Sequence, residues 1–134
     1  MKNVLFVCVE NSCRSQMAEA FANMYGHGIV KACSAGSQPS GRISDKAVRA
    51  MREVGYDLSS HVSASTDAIP DQEYDVVITM GCGDACPAIR AKQRRDWSIP
   101  DPRDMDADEF NAVRDEIEQK VLDLIAELTV IREK

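Results

Sequence analysis

Aromatic residues are scarce in this sequence, and its positive charges are outnumbered by its negative charges. Phe, Trp and Tyr together make up 5% of the 134 residues, so the core must be built mainly from aliphatic side chains, methionine and alanine. The formal net charge of -6 argues against general nucleic-acid binding, because that binding depends on Lys and Arg at the phosphates. An anionic ligand would therefore have to be attracted by a local site and not by the charge of the whole chain.

Long hydrophobic runs are also missing. No stretch approaches the ~20 apolar residues of a membrane span, and the first residues lack the length and cleavage site of a signal peptide. These features predict a cytoplasmic protein that does not contact membranes. Hydrophobic residues at 44% and charged residues at 28% are typical of a globular chain, and the length predicts a single domain over residues 1–134.

Two kinds of hydrophobic pattern alternate along the chain. Continuous apolar runs predict buried strands at 3–9, 29–36 and 74–80, with a fourth, edge strand within 94–102. Apolar residues three and four apart predict helices from Ser15 to Gly26, from Ser44 to Gly55, and from Asp106 to the chain end. This alternation predicts an α/β fold, a three-layer sandwich in which helices flank a four-stranded parallel sheet on both faces.

Ligands of such sheets bind beyond the carboxyl ends of the strands. The predicted segments at that edge are 8–15, 34–42, 81–87 and 98–104. Four of the five cysteines fall within them, Cys8 and Cys13 in the first segment and Cys82 and Cys86 in the third. An odd number of cysteines in a cytoplasmic chain favours reactive or buried thiols over a disulfide framework.

The stretch CVENSCRS, residues 8–15, joins the first strand to the first helix. Backbone N–H groups at a helix start bind oxyanions, and Arg14 adds a planar fork of donors. The same field favours the thiolate of Cys8, which Ser15 could stabilise by a hydrogen bond. The residues predicted to bind the anion are Val9, Glu10, Asn11, Ser12, Cys13, Arg14 and Ser15. The alternative is a buried Cys8 without chemistry and a solvent-facing Arg14.

Cys82 and Cys86 form a second pair, in the stretch CGDAC. Their spacing brings two thiols close enough for a disulfide in either a helical turn or a tight loop. Two small residues lining a helix start are the alternative without chemistry. A zinc site is disfavoured, because zinc needs about four ligands and neither His27 nor His61 is spaced to join these thiols.

Several motifs resemble the low-molecular-weight tyrosine phosphatase superfamily. They are Cys8-x5-Arg14-Ser15, the SAG at 34–36 and the Asp-Pro at 101–102. Within it, NSCRSQMAEAF (11–21) and TMGCGDACP (79–87) are similar to the thioredoxin-coupled arsenate reductases. The resemblance implies that fold over the whole chain, with Cys8 as nucleophile, Arg14 as oxyanion clamp and Asp101 as general acid.

The resemblance also implies a disulfide relay. Cys8 attacks arsenate, Cys82 then attacks Cys8 as arsenite leaves, and Cys86 attacks Cys82 to leave a disulfide that thioredoxin reduces. The gap between Cys82 and Cys86 is shorter than in the best-known reductases, so a low-molecular-weight thiol stays open as the electron donor. No cofactor is expected, apart from a structural potassium ion that Asn11 and Glu19 would hold; the alternative is a solvated Glu19.

Two other functions use the same loop. A phosphatase acting on aryl phosphomonoesters would share Cys8, Arg14 and Asp101. In the phosphatases that the sequence resembles, tyrosines usually follow the Asp-Pro and line the cleft, whereas here the residues are RDMD, 103–106. A thiol redox sensor or an anion-binding partner would use the loop without turnover. The residues favour arsenate reduction, with phosphatase activity as the alternative.

Overall fold

A computed structural model of the chain describes residues 1–81 and 89–133, with side chains as far as residue 129. Its strands are β1 (Lys2–Val7), β2 (Val30–Ala35), β3 (Tyr74–Thr79) and β4 (Ala91–Asp96). Its helices are α1 (Arg14–Tyr25), α2 (Asp45–Arg52) and α3 (Ala107–Glu133), with a short 3-10 helix at Leu58–Ser60. The strands form one parallel sheet in the order β2-β1-β3-β4. The predicted four-stranded parallel α/β fold is therefore confirmed.

The helices begin where local sequence signals place them. Ser44 precedes α2, and its hydroxyl accepts a hydrogen bond from the backbone N–H of Ala47 at 3.4 Å. That contact satisfies one of the free N–H groups at the helix start.

No helix in the described ranges is long and apolar enough to cross a membrane.

The position predicted for the fourth strand was wrong. The strand β4 lies at 91–96 and overlaps the predicted 94–102 only at its end. Its sequence, AKQRRD, is mostly polar because the strand forms the sheet edge and most of its side chains are exposed. The apolar residues of the predicted stretch, Trp97 and Ile99, lie beyond β4 and are buried in the larger core cluster.

Alternate side chains of the central strands point to opposite faces of the sheet. Val4 and Phe6 of β1 belong to the larger core cluster, which also contains buried residues from all three α-helices. Leu5 and Val7 belong to a smaller cluster, which the loop residues Ile69 and Ile89 help to cover. Among the described residues, the α-helices therefore pack on one face, and loop residues cover the other.

All four strands end at the same edge of the sheet. Val7 is paired with Ala35 on one side and with Thr79 on the other, and Thr79 is paired with Asp96. The chain segments that follow the four strands therefore start side by side. This register supplies the edge at which the sequence places its candidate site.

Candidate active site

The loop between β1 and α1 is held in a tight conformation by a neighbouring strand. Asn11 has a φ of 50°, in the left-handed region that asparagine tolerates better than most residues. Gly36, directly after β2, lies against this loop. A Cβ on Gly36 would stand 2.4 Å from the carbonyl oxygen of Val9 and 2.8 Å from that of Cys8. The glycine of the SAG motif is therefore required by close backbone approach.

The thiol of Cys8 is buried beside a hydroxyl. Cys8 Sγ lies 2.9 Å from Ser15 Oγ, and Asn11 Nδ2 donates to that same oxygen at 2.8 Å. The amide of Asn11 cannot be turned around, because its Oδ1 accepts the backbone N–H of Ala64 at 2.7 Å. Since Ser15 accepts from Asn11, its own hydrogen is available to Cys8. The predicted contact between Ser15 and a Cys8 thiolate therefore has the geometry that it needs.

Arg14 is fixed by backbone carbonyls from two other strand ends. Its Nη1 donates to the carbonyl of Met80 at 2.8 Å and to that of Ile99 at 3.0 Å. Met80 follows β3, and Ile99 lies in the segment after β4. The buried guanidinium also lines the cavity at the loop, where it can meet an anion. Arg14 is therefore oriented before any ligand arrives.

A cavity of about 320 Å³ opens over this loop. Its lining residues are Cys8, Val9, Glu10, Ser12, Cys13, Arg14, Gln38, Asp101 and Arg103. Most of the predicted anion-binding residues are thus brought together around one space. Asn11 and Ser15, which are fully buried, support the loop from behind and do not line the cavity.

Asp101 stands at the mouth of the cavity, 40% exposed. Its Oδ1 accepts the backbone N–H of Arg103 at 3.1 Å, and its Oδ2 pairs with Arg103 Nη2 at 3.2 Å. Arg103 also reaches Glu10 across the cavity, Nη1 to Oε2 at 3.3 Å. The predicted general acid therefore shares the cavity with Cys8 and is paired with an arginine to which the sequence analysis assigned no role.

Two of the three cysteines in the described ranges are held as neutral thiols. Burial raises the pKa of Cys13 to about 12, and the negative charges of Cys8 and Asp101 act in the same direction. Burial also raises the pKa of Cys33, whose Sγ lies 4.0 Å from the hydroxyl of Tyr74. Cys13 and Cys33 are therefore poorly suited to thiol exchange, which requires a thiolate.

Cys82 and Cys86 lie outside the described residues. The chain that leads to them leaves β3 at Met80, whose carbonyl accepts from Arg14. Gly81 follows with a φ of +80°, and its N–H donates to Asp96 Oδ1 at 3.1 Å. The approach to Cys82 thus begins beside the guanidinium of the anion site.

A buried polar network behind the loop was not foreseen from the sequence. Gln16 Nε2 donates to both the backbone oxygen of Asn11 at 3.0 Å and its Oδ1 at 2.9 Å. Because the amide nitrogen of Gln16 is the donor to Asn11, its Oε1 accepts a hydrogen bond from His61 Nδ1, 2.9 Å away. His61 Nε2 then accepts a hydrogen bond from the hydroxyl of Tyr56 at 2.6 Å. His61 belongs to this network, and its side chain is only 8% exposed.

The side chains proposed to hold potassium have other partners. Asn11 Oδ1 accepts two hydrogen bonds, one from Gln16 Nε2 and one from the backbone N–H of Ala64, and these occupy its two lone pairs. Glu19 Oε1 accepts from the hydroxyl of Ser34 at 2.6 Å, and Oε2 lies 3.4 Å from His61 Nδ1. In this arrangement N–H and O–H donors contact Asn11 Oδ1 and Glu19 Oε1.

Comparison with known proteins gives consistent results. The chain matches the family described as low molecular weight phosphotyrosine protein phosphatase over residues 3–133. It is 39% identical over 132 residues to a glutaredoxin arsenate reductase of Synechocystis, covering 96% of this chain and 100% of that one. A solved arsenate reductase in its phosphate-binding state has a TM-score of 0.86 at 38% identity, covering 96% of this chain and 99% of that one. A thioredoxin-dependent arsenate reductase of Corynebacterium glutamicum has a TM-score of 0.80 at 31% identity, covering 97% of this chain and 63% of that one.

Proposed function

Because the chain belongs to the low molecular weight phosphotyrosine protein phosphatase family, we propose that it uses the nucleophilic cysteine of this fold to reduce arsenate to arsenite. The observation that carries the proposal is the contact of Cys8 Sγ with Ser15 Oγ at a cavity shared with Arg14 and Asp101. Relatives named arsenate reductases, alike over nearly the whole chain, support reduction as the reaction.

The first step joins arsenate to the enzyme. Arg14 and the backbone N–H groups of the loop hold the oxyanion. The thiolate of Cys8 attacks arsenic, an As–S bond forms and an As–O bond breaks. Asp101 gives a proton to the departing oxygen, which leaves as water. Arsenic is still in its +5 state at this point.

The second step carries the reduction. The thiolate of Cys82 attacks the sulfur of Cys8, an S–S bond forms, and the electron pair of the As–S bond stays on arsenic. Arsenic is thereby reduced from +5 to +3 and leaves as arsenite. Cys86 then attacks Cys82, which frees Cys8 and leaves a Cys82–Cys86 disulfide.

An external thiol must reduce that last disulfide. We propose thioredoxin as the donor, in keeping with the thioredoxin-dependent relative from Corynebacterium glutamicum. A relative named glutaredoxin arsenate reductase makes glutaredoxin with glutathione the competing donor. Either donor places the chemistry in a reducing compartment such as the cytoplasm.

Hydrolysis of phosphomonoesters is the second candidate function. It would use the same Cys8, Arg14 and Asp101, and the family match favours keeping it. Two features argue against a tyrosine-phosphate substrate. Arg103 follows the Asp-Pro at the mouth of the cavity, and no aromatic side chain lines the cavity in the part of the chain that is described. Charged rim residues suit a small inorganic anion better than an aryl ester.

NADPH oxidation tests the proposal directly. The protein is incubated with NADPH, thioredoxin reductase and thioredoxin, with and without arsenate, and in parallel with glutaredoxin, glutathione and glutathione reductase. We expect arsenate-dependent oxidation with one donor system, and its absence with both would refute the proposal. Cys86→Ser should stop after about one turnover and trap a Cys8–Cys82 disulfide. Cys33→Ser, outside the cavity, is the matched control and should keep multiple turnover.

The same preparations decide between reduction and hydrolysis. Release of phosphate from an aryl phosphate that survives the loss of both Cys82 and Cys86, without arsenate-dependent oxidation, would favour the phosphatase. Loss of both reactions in Cys8→Ser is expected under either function, so the second cysteine pair is the informative site.

A further inference from the structure

Arg103 lies at the mouth of the cavity, with its side chain 62% exposed. We propose that Arg103 is a second oxyanion-binding guanidinium, which leaves Asp101 and Glu10 when a tetrahedral dianion enters and then contacts that anion together with Arg14. The inference deepens the proposed function and rests on it in taking Cys8 as the group that faces the anion.

The present contacts of Arg103 are of the kind that a dianion can displace. Its Nη2 lies 3.2 Å from Asp101 Oδ2, and its Nη1 lies 3.3 Å from one oxygen of Glu10 and 3.4 Å from the other. Charge-assisted N–H···O bonds are normally about 2.7–2.9 Å long, and exposed ion pairs contribute little. Arg14 differs, because its Nη1 is buried and donates at 2.8 and 3.0 Å to backbone carbonyls. The guanidinium of Arg14 is therefore fixed in place, whereas that of Arg103 can exchange its present carboxylate partners for a bound anion.

The charges around the cavity require a second cation. The lining contains two carboxylates, Glu10 and Asp101, and two guanidinium groups, Arg14 and Arg103. With Asp101 protonated for its role as general acid, Arg14 alone would have to offset Glu10, the attacking thiolate of Cys8 and the dianion, so a second positive charge in the lining favours binding. The guanidinium of Arg103 is always protonated. The negative charge of Glu10, and to a smaller extent that of Asp101, raises its pKa further. Its positive charge also acts on Cys13 in the loop, which places it within electrostatic reach of the cavity floor.

Binding of inorganic phosphate tests the inference without any redox step. Phosphate protects Cys8 from alkylation by iodoacetamide if it occupies the cavity, and peptide mass spectrometry gives its Kd. Arg103→Gln should raise that Kd about tenfold or more, the loss expected for one charge-assisted contact. Arg103→Lys, which keeps the charge without the fork, should recover part of the affinity. Glu10→Gln should lower the Kd, because it removes a negative charge and a competing partner of Arg103.

Arg42→Gln is the matched control. It removes the same charge from an exposed side chain that pairs with Asp45, 4.0 Å away, and does not line the cavity. We expect it to leave the phosphate Kd within about twofold of the wild type, because exposed charges contribute little. A Kd in Arg103→Gln equal to that of Arg42→Gln would overturn the inference. So would a wild-type Cys8 that phosphate does not protect.

Kinetics separate anion binding from a purely structural role of Arg103. If Arg103 contacts the anion, Arg103→Gln raises the KM for arsenate more than it lowers kcat. If it only holds Asp101 in place, kcat falls, the phosphate Kd stays unchanged, and the inference is wrong. A wild type that binds phosphate but never oxidises NADPH would refute the proposed function, while the weakened binding of Arg103→Gln would still support the inference.

Discussion

Replacing Ser15 by alanine would remove the polar atom that contacts the nucleophile. Ser15 Oγ lies 2.9 Å from Cys8 Sγ and accepts from Asn11 Nδ2 at 2.8 Å, and all three residues are buried. The substitution therefore has two separable effects. It leaves a buried N–H of Asn11 without its acceptor, and it deprives the thiolate of Cys8 of a hydrogen-bond donor.

Each effect has its own magnitude. A buried donor that loses its partner costs about 1–3 kcal/mol, so the free energy of unfolding should fall by that amount. A hydrogen bond to a charged group contributes about 1.5–3 kcal/mol, so the reactivity of Cys8 towards an alkylating reagent should fall roughly tenfold or more. The rate of Cys8 alkylation by iodoacetamide, followed peptide by peptide by mass spectrometry, measures the second effect.

Ser44→Ala controls for the loss of stability. The side chain of Ser44 caps α2 and does not line the cavity, and its backbone N–H, which donates to the carbonyl of Ser12 at 2.9 Å, is kept in alanine. Losing a cap costs about 0.5–2 kcal/mol, a range that overlaps that of Ser15→Ala. We expect Ser44→Ala to be less stable than the wild type and to keep its rate of Cys8 alkylation. If Ser15→Ala is destabilised yet alkylated as fast as the wild type, Ser15 only packs the loop and the reasoning about the thiolate is refuted.

Three further perturbations have expected outcomes. Because burial raises the pKa of Cys13 from 9.0 to about 12, the folded chain keeps a proton that the unfolded chain releases, so stability should fall above pH 9 by about 1.4 kcal/mol per pH unit. Urea unfolding at pH 8 and pH 10 should show this loss in the wild type and less of it in Cys13→Ala; equal losses would contradict it. Exchanging potassium for sodium or choline should leave the KM for arsenate unchanged, because N–H and O–H donors already contact Asn11 and Glu19; a lower KM in potassium alone would show that these side chains rearrange. Gly36→Ala should weaken phosphate protection of Cys8, because its Cβ would stand 2.4 Å from the Val9 oxygen; unchanged protection would mean that the loop tolerates the shift.

The placement of the Cys8–Arg14 loop at the carboxyl edge of the sheet was predictable because its signals are local. Cys8 and Arg14 are separated by five residues at the end of an apolar run, and the parallel register brings Asp101 to the same edge. The strand β4 was misplaced for the opposite reason. An edge strand contributes few buried side chains, so its pattern was hidden by the more apolar Trp97 and Ile99 that follow it.

Contacts between distant segments left no signal in the sequence. Gln16 and His61 are 45 residues apart. Gln16 lies in the NSCRSQMAEAF stretch, but nothing there or around His61 predicts that the two side chains meet. The charge of Arg103 was equally uninformative, because most loop arginines are solvated. Its relevance comes from the fold, which sets its guanidinium between the carboxylates of Glu10 and Asp101.

These distant contacts explain why the motif alone does not make the site. Behind the loop, Gln16 donates to Asn11 while its own position is held by His61 and by the carbonyl of Val62 at 3.1 Å. An asparagine in the left-handed region is costly by itself and persists only when its surroundings hold it there. On the cavity side, Arg14 is oriented by two strand ends that contain no part of the motif. The same eight residues in another protein would keep the thiol and the arginine but not their orientation, so the distant partners are as necessary to an oxyanion site as the motif that reveals it.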